Sequence, residues 1–367
     1  MSKGEVAKHI QPEDKKIISS SGIDVAEDMR SATFLQKDSS VVFSRSLSDD
    51  VEVMNIHDAL KELPDIKNYY GQAFKSLNRD YPADTEGGYF IRVKRGKTVE
   101  LPIQACLFLK SRGFQQKVHN IIVVEEGARV YLITGCSASE AAHESSHLGI
   151  SEFFVKKGAY LNFTMIHSWR EDVSVKPMSI SLVDEGASFI SNYISLRPVK
   201  EITMYPTSVL NGADARARYN SLILSHPDSF HDIGSRVILK GRNTQAEIIA
   251  RSVSLGGRVI NRGHIKAENK DVTGHLECRG LILSEQGIIH AVPEMETNYR
   301  DVNLSHEAAI GKISKDEIEY LCSRGFSSEE AQSIIVRGFM DVDILGLPDM
   351  LRQEIDKLEN DMLKGSF

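Results

Sequence analysis

The sequence predicts a mainly β protein, in which a β-helix core is flanked by N-terminal and C-terminal helical segments. Residues 240–314 carry this prediction, because short apolar pieces alternate there with polar ones and glycines interrupt them repeatedly. Each apolar piece is too short for a helix and is rich in β-branched side chains, which is typical of strands. No hairpin signal recurs, and the pieces follow one another with little loop. This favours a coiling parallel arrangement over a meander.

Composition indicates the class of protein. The 367 residues suffice for two or three domains, and 41% hydrophobic with 26% charged residues is the balance of a soluble globular chain. A net charge of -7 argues against nucleic-acid binding, and no apolar run reaches the roughly 20 residues that cross a bilayer. The N-terminus lacks the apolar core of a signal peptide. Four widely separated cysteines without a Cys-x-x-Cys argue against a disulfide framework and suit the reducing cytoplasm.

In chain order, residues 1–86 form the predicted N-terminal helical or irregular segment. Residues 1–50 are polar and serine-rich, which indicates partly ordered helix and loop. A short amphipathic helix is predicted over residues 57–63, and Pro64 stops it. From residue 87 onward the pattern changes to strands separated by Gly, Asp and Asn turns, which predicts a β-helix core over residues 87–305.

Residues 306–367 form the predicted C-terminal helical segment, which would cover the exposed end of the solenoid. Capping boxes are predicted at residues 314–317 and 327–330, each opening a helix. A third helix is predicted to begin near Pro348. Its apolar stripe would either pack within this cap or dock another protein, and it consists of Met350, Leu351, Ile355, Leu358 and Met362.

Several chemical motifs are absent or incomplete. No phosphate-binding loop occurs, so the chain is not expected to hydrolyse ATP itself. His143-Glu144-x-x-His147 matches the zinc-hydrolase pattern, which works when a helix brings both imidazoles to one metal. Gly149 would end that helix after barely two turns, and the strand pattern that follows offers no third ligand. A zinc-dependent hydrolase and a solvated helical loop are the two readings of this motif.

Two further groups lie late in the β-helix pattern. In a strand through Cys278, Leu276 and Cys278 share one face and Glu277 points to the other. The cysteine is read either as a small buried hydrophobe or as a thiolate ligand or sulfur carrier. The pair His306-Glu307 follows 28 residues later, just past a predicted strand. It is read either as surface decoration or as a pair of ligands at the scaffold edge.

Seven sequence pieces together resemble the SufB/SufD family, the scaffold proteins of the Suf system that assembles iron–sulfur clusters. They occur in family order from about residue 101 to the C-terminus, and the first hundred residues match poorly. The length is similar to that of compact SmsB-type proteins. The pieces are VVEEGARVYLITGC, LGISEFFVKKGAYLNFTMIHSW, LILSHPDSF, LKGRNTQAEIIARSVSLGG, IIHAVPEMET, LSHEAAIGKISKDEIEYL and RGFSSEEAQSIIVRGF.

The resemblance implies a right-handed parallel β-helix that binds an ABC-type ATPase, SufC or SmsC, through its C-terminal helices. It places a SufB cysteine on Cys278 and a SufB His-Glu pair on His306 and Glu307. SufD carries the His without that Glu, so the chain is SufB-like. The SufB cysteine that receives sulfur falls on Cys136, and a lysine of the internal sulfur path falls on Lys176.

The chain also departs from the family pattern, because an Arg-x-Asn of SufB meets Phe108-Leu109-Lys110 here. The sequence as a whole predicts a cytoplasmic, non-enzymatic scaffold for a transient iron–sulfur cluster. A homodimer is expected to complete the ligand set, since one chain supplies too few ligands. The alternatives are the zinc hydrolase and a non-catalytic β-solenoid interaction protein. Cluster type, the sulfur and iron donors, the recipients and any flavin site are not readable.

Overall fold

The computed structural model describes residues 10–25 and 30–340 and shows a parallel β-solenoid of about eight turns with helices at both ends. The helices are α1 Pro12–Ser20, α2 Ile56–Glu62, a 3-10 turn Ile66–Asn68, α3 Gln72–Ser76, α4 Lys315–Ser323 and α5 Ser328–Met340. The strands are β1 Ala32–Lys37, β2 Ser40–Ser46, β3 Val51–Asn55, β4 Tyr89–Val93, β5 Ile103–Leu109, β6 Gln115–Val124, β7 Arg129–Ala138, β8 Ser146–Val155, β9 Tyr160–Ser168, β10 Ser174–Val175, β11 Met178–Val183, β12 Ser188–Ser195, β13 Glu201–Met204, β14 Thr207–Leu210, β15 Arg216–Ser225, β16 Phe230–Leu239, β17 Gln245–Ser254, β18 Arg258–Ala267, β19 Thr273–Ile282, β20 Ile288–Thr297 and β21 Asn303–Gly311. The predicted β-helix is confirmed.

Two facing sheets form the solenoid. Sheet A runs in the order β2-β1-β5-β7-β9-β12-β15-β17-β19-β21, and sheet B holds the alternate strands from β3 to β20. Neighbouring strands within the solenoid are parallel, whereas β1–β2 and β3–β4 are antiparallel. Successive turns therefore place equivalent residues directly above one another, about 4.8 Å apart.

The core lies between the two sheets. Because side chains alternate between the faces of a strand, every second residue points inward, as Ile248 and Ala250 do on β17. Burying a large aliphatic side chain in this core contributes about 1.5–3 kcal/mol, so the stacked rows account for much of the stability. Among the described residues, no helix has the length and apolar character that crossing a membrane would require.

The turns between sheets stack as regularly as the strands. Gly127, Gly158 and Gly186 all have left-handed backbone angles, with φ of 69°, 64° and 64°. The amide of Gly127 donates to the carbonyl of Lys157, and the amide of Gly158 donates to that of Glu185. Glycine is favoured here because a side chain strains this conformation. The Gly turns that the sequence predicts at these positions are confirmed.

The N-terminal end of the solenoid is closed by antiparallel strands and helices. Strands β1 to β3 extend the two sheets, α1 covers the outer face of sheet A, and α2 and α3 cover that of sheet B. The expectation of helix and loop over residues 1–50 was therefore wrong for β1 and β2. β2 is a polar edge strand, SVVFSRS, and β1 is buried on both faces, so neither shows the alternation of apolar and polar residues that identifies a strand.

The C-terminal helices begin where their sequences predict. Ser314 is the N-cap of α4, but its side chain makes no capping hydrogen bond, so the capping box predicted at residues 314–317 does not form. At α5 the capping box forms, because the Ser327 amide donates to Glu330 Oε2 at 2.7 Å and the Glu330 amide donates to Ser327 Oγ at 3.2 Å. Val336 and Met340 of α5 pack on the outer face of sheet A. The expected boundary at 305/306 falls within β21, and the predicted third helix lies outside the described residues.

Candidate functional site

Cys278 lies on the inner face of sheet A, near the last turn of the solenoid. Its neighbours in register are Ala250 on β17 and Ala308 on β21, and Leu276 points to the same face. Only 1% of the residue is exposed. Burial, with a smaller contribution from the nearby Glu277 carboxylate, raises the pKa of the thiol to about 11. A metal ion would therefore have to displace the thiol proton in order to bind.

His306 and Glu307 lie on β21, the last strand of sheet A. His306 is in register with the inward residue Leu276, so the imidazole is on the same face as Cys278. Glu307 is in register with Glu277, and its carboxylate lies on the outer face. Both residues of the pair are exposed. The structure thus brings the three predicted residues to one edge of the sheet but divides them between its two faces.

The outer face beside Glu307 carries a network of ion pairs. Arg279 Nη2 lies 3.0 Å from Glu307 Oε1, and Arg279 Nε lies 3.3 Å from Glu277 Oε1. Arg251 Nη1 lies 2.6 Å from the same Glu277 oxygen. The Arg251 guanidinium also lies 5.8 Å from the ring centre of Phe339 on α5. We name the four residues Arg251, Glu277, Arg279 and Glu307 the outer ion-pair network.

At the C-terminal end of the solenoid, each sheet finishes on a strand that has one partner strand among the described residues. β20 pairs with β18 and β21 pairs with β19, so within residues 10–25 and 30–340 the other edge of each strand is unpaired. This end exposes apolar side chains, with Ile288, Met295 and Ile310 exposed by 52%, 44% and 41%. Free strand edges with apolar flanks favour pairing with another chain. Among residues 10–25 and 30–340, no three His, Cys, Asp or Glu side chains converge as a metal site.

Cys136 lies on the inner face of β7, at the opposite end of the solenoid core. It is in register with Leu107 on β5 and with His167 on β9. Burial raises the pKa of the Cys136 thiol far above its usual range. The thiol lines an internal cavity of about 40 Å³, together with side chains that include Tyr89, Thr134, His147, Tyr193 and Asn220. A cavity of this volume has room for about three water-sized molecules.

Three histidines, His147, His167 and His231, are buried in the core, and the sequence singled out only His147, as a zinc ligand. Burial lowers the pKa of His147 and of His231 to about 4, and that of His167 well below its usual range. Each Nδ1 atom forms a hydrogen bond with one side chain. His147 pairs with Gln116, His231 with Ser225 and His167 with Tyr193. All three are therefore neutral at pH 7. Their inward position on β8, β9 and β16 was the available signal.

The cavity does not extend to Cys278. Cys136 and Cys278 are separated by five strand spacings in sheet A, which is about 24 Å. The cavity lining ends at β15 and β16. Beyond it, the space between the sheets is filled by close-packed side chains, including Ile248, Ile265 and Leu276. The cavity at Cys136 and the Cys278 thiol are therefore separated by packed side chains.

Two other positions taken from the resemblance do not line the cavity. Lys176 lies on the surface, where its ammonium is 4.0 Å from Glu201 and its side chain is 62% exposed. Lys110 binds Asp14 of α1 at 2.8 Å, and Phe108 packs under α1 on the outer face. The structure does not support Lys176 as part of an interior path.

The zinc-hydrolase reading of the His-Glu-x-x-His motif was wrong, and so was the helical loop. His143 is exposed in a turn, with Nδ1 2.8 Å from Asp172 Oδ2. Glu144 has a left-handed φ of 55°, which breaks any helix between the histidines. His147 lies on β8 and points into the core, where it bonds to Gln116. The two imidazoles consequently occupy different environments.

Sequence reasoning also missed Arg251 and Arg279, which surround the predicted ligand Glu307. For Arg279 the available signal was charge at every second position, in Glu277-x-Arg279, where an outward face is expected to carry polar groups. Only the register between β17, β19 and β21 shows that these charges form one network.

Known proteins share this sequence over nearly its full length. A family model described as "SUF system FeS cluster assembly, SufBD core domain" matches residues 107–339. An "Iron-sulfur cluster assembly SufBD family protein" of Archaeoglobus fulgidus is 47% identical over 358 residues, covering 95% of this chain and 96% of that protein. One from Methanothermobacter thermautotrophicus is 40% identical over 368 residues, covering 98% and 90%.

A more distant relative from Bacillus subtilis bears the name "Iron-sulfur cluster assembly protein SufB". It is 30% identical over 372 residues, covering 98% of this chain and 80% of that protein. The matched region of the family model contains Cys136 and Cys278, together with His306 and Glu307. The parallel β-solenoid, the family model and these relatives agree. The chain belongs to the SufBD family of iron–sulfur cluster assembly proteins.

Proposed function

We propose that this chain is a scaffold on which iron–sulfur clusters are assembled at the open C-terminal end of the solenoid. Cys278, His306 and Glu307 are the ligands that we assign to the iron and sulfide of the nascent cluster. The observation that carries the proposal is their position on the last two strands of sheet A: Cys278 lies on β19, and His306 and Glu307 lie on the terminal strand β21. The edge of this terminal strand is where a second chain can contribute further ligands.

The mixture of donors suits a cluster that is assembled and then passed on. A thiolate binds iron strongly, as in stable iron–sulfur sites. Imidazole and carboxylate are less usual ligands, and they exchange more readily than a full set of four thiolates would. Cys278 thus anchors the cluster, while His306 and Glu307 leave it transferable to a recipient.

The free edges support a homodimer in which two copies meet through β20 and β21. A twofold axis would double each ligand and bring groups from both faces of the sheet to one interface. It would also cover the exposed Ile288, Met295 and Ile310. Sedimentation or light scattering should therefore show a dimer of this chain, and a strictly monomeric chain with full cluster content would contradict the arrangement.

The C-terminal helices are the surface that we assign to an ABC-type ATPase, since the sequence has no phosphate-binding loop of its own. One face of α5 packs on sheet A through Val336 and Met340. The helices also leave Tyr320, Phe326 and Ile334 exposed by 58%, 42% and 42%. Replacing Tyr320 and Ile334 by Asp should abolish co-purification with the ATPase. Retained binding would place the interface elsewhere.

Cys136 is the residue that we assign to sulfur acceptance inside the solenoid. Its thiol opens on the internal cavity, and the neutral His167 is its in-register neighbour on β9. The sulfur donor is not identified by any residue of the chain. All four cysteines are free, which is consistent with work in the reducing cytoplasm.

The test is anaerobic reconstitution with ferrous iron and sulfide. Cys278→Ser should remain folded, because Ser is close to Cys in size, yet lose most of its iron and sulfide. Cys322→Ser is the control, since Cys322 is an exposed cysteine on α4 rather than on β19 or β21. Normal iron and sulfide in Cys278→Ser would refute the assigned site. A wild-type chain that accumulates neither would favour a non-catalytic interaction protein.

A further inference from the structure

We propose that Arg279 is a positioning residue that withholds Glu307 from metal, and that helix α5 controls this restraint through Arg251 and Glu277. The inference rests on the proposed function, because it concerns the regulation of the same site. It requires Glu307 to bind metal only after its ion pair with Arg279 has been weakened.

The first step concerns the position of the Glu307 carboxylate. Glu307 Oε1 lies 3.0 Å from Arg279 Nη2, on the outer face of sheet A, whereas Cys278 is on the inner face. A metal ion at the free edge would compete with this ion pair for the carboxylate. The pair therefore opposes metal binding as long as it is intact.

The second step is competition for Arg279. Its guanidinium contacts two carboxylates, Glu307 and Glu277, while Glu277 itself contacts two guanidiniums, Arg279 and Arg251. The Glu277–Arg251 contact is the shortest of the three, at 2.6 Å. When Arg251 holds Glu277, less of the Glu277 charge is available to Arg279. Arg279 is then bound more strongly to Glu307.

The third step connects the network to α5. Phe339 of α5 lies 5.8 Å from the Arg251 guanidinium, at cation–π distance. The side chains of Arg251 and Glu277 are only 16% and 13% exposed, so water screens this contact less than it screens an exposed pair. Lifting α5 would hydrate Arg251 and release Glu277 to Arg279. Glu307 would then become free to bind metal.

This arrangement links a partner to the site without a direct contact between them. A protein that binds α4 and α5 and pulls α5 from sheet A would unmask Glu307 about two strands away. Binding of metal and movement of α5 are then coupled, and the coupling has the same magnitude in both directions.

The experiment is an anaerobic Co²⁺ titration of the full chain, followed by thiolate-to-cobalt absorption and by equilibrium dialysis. Arg279→Gln should tighten Co²⁺ binding about fivefold, the upper range for removing one partly exposed ion pair. Phe339→Leu should tighten it in the same direction by a smaller factor, without any change of charge and without altering β19. Arg279→Lys keeps the cation and should restore near-normal affinity.

Two controls separate this inference from a general charge effect. Lys312→Gln removes the same charge just beyond the end of β21 and should leave the affinity unchanged. In the Glu307→Gln background, which itself should bind Co²⁺ more weakly, Arg279→Gln should have no further effect. This double-mutant cycle isolates the Arg279–Glu307 pair.

The outcomes distinguish the proposed control of Glu307 by Arg279 and α5, which we call the gate, from the proposed assembly function. If Glu307→Gln weakens Co²⁺ binding but neither Arg279→Gln nor Phe339→Leu tightens it, the gate is refuted and the assembly site stands. If Glu307→Gln binds Co²⁺ as the wild type does, Glu307 is not a ligand, and both proposals fail at this residue. If Lys312→Gln tightens binding as much as Arg279→Gln, the effect is one of net charge and the gate is refuted.

Discussion

The Cys278 thiol should react slowly with alkylating reagents, and the pH dependence of its reaction should be displaced to higher pH. Its pKa is raised from 9.0 to about 11, chiefly by burial and secondarily by the Glu277 carboxylate. The thiolate is the nucleophile, so raising the pKa lowers the reactive fraction at any pH below it. Because the folded environment disfavours the charged form, reactivity toward an alkylating reagent should rise with pH well beyond the range where an ordinary thiol levels off.

The magnitude follows from these values. At pH 8 a shift of two pKa units leaves about a hundredfold less thiolate. A more basic thiolate is a better nucleophile, which returns about tenfold of this loss. The pKa alone therefore slows alkylation about tenfold, and the 1% exposure of Cys278 must slow it further. Between pH 9 and pH 10 the rate should rise about tenfold, whereas a thiol with a pKa of 9 would gain only about twofold.

The assay is a short pulse of iodoacetamide at each pH, followed by peptide mass spectrometry of the wild-type chain. Cys322, which is exposed on α4, serves as the internal standard for reagent and time. Bound Co²⁺ should protect Cys278 and not Cys322. A Cys278 rate that levels off near pH 9, or that matches the rate of Cys322, would refute both the burial and the charge effect described for this thiol.

Three other predictions follow from the structure. Cys136→Ser should reduce cluster content to an intermediate level when sulfur is supplied as a protein persulfide, but not when free sulfide is supplied. An equal loss of cluster with both sulfur sources would contradict a sulfur-accepting role for Cys136. Ile310→Lys together with Met295→Lys should shift the chain toward monomer in sedimentation, since each charge would have to be buried at the paired edges, and an unchanged dimer would place the interface elsewhere. Glu152→Ala removes the acceptor of the Gly71 and Ala73 amides and the partner of His119. It should destabilise the docking of α3 by about 3–5 kcal/mol, measured by hydrogen exchange. Near-normal protection of the α3 amides would show that the buried Glu152–His119 pair does not anchor this helix.

Much of the scaffold was predictable because its signals are local. A glycine that needs a positive φ, such as Gly127 or Gly158, marks a turn through the identity of that residue and its neighbours alone. The capping box of Ser327 and Glu330 is equally local, and it forms as predicted. The alternation within β19 also correctly placed Leu276 and Cys278 on one face, since the period of a strand depends only on backbone geometry.

The local sequence pattern was misleading where the same residues are compatible with two different structures. His143-Glu144-x-x-His147 satisfies a helical motif, but Glu144 adopts a left-handed conformation and His147 enters a strand. Strands β1 and β2 were missed for a related reason. β2 is the edge strand of sheet A, so its polar residues need not alternate with apolar ones, and β1 is buried on both faces, so it does not alternate either.

The sequence by itself determined the solenoid, its turns, the start of its last two described helices and the identity of Cys278, His306 and Glu307 as candidate ligands. Only the tertiary structure decided how these residues relate. The register of β21 against β19 sets Cys278 and His306 on the inner face and Glu307 on the outer one, beside Arg279. A shift of one residue in the register of β21 would exchange the faces of His306 and Glu307. The pairing joins strands about 30 residues apart and depends on the packed core, so no local sequence pattern encodes it.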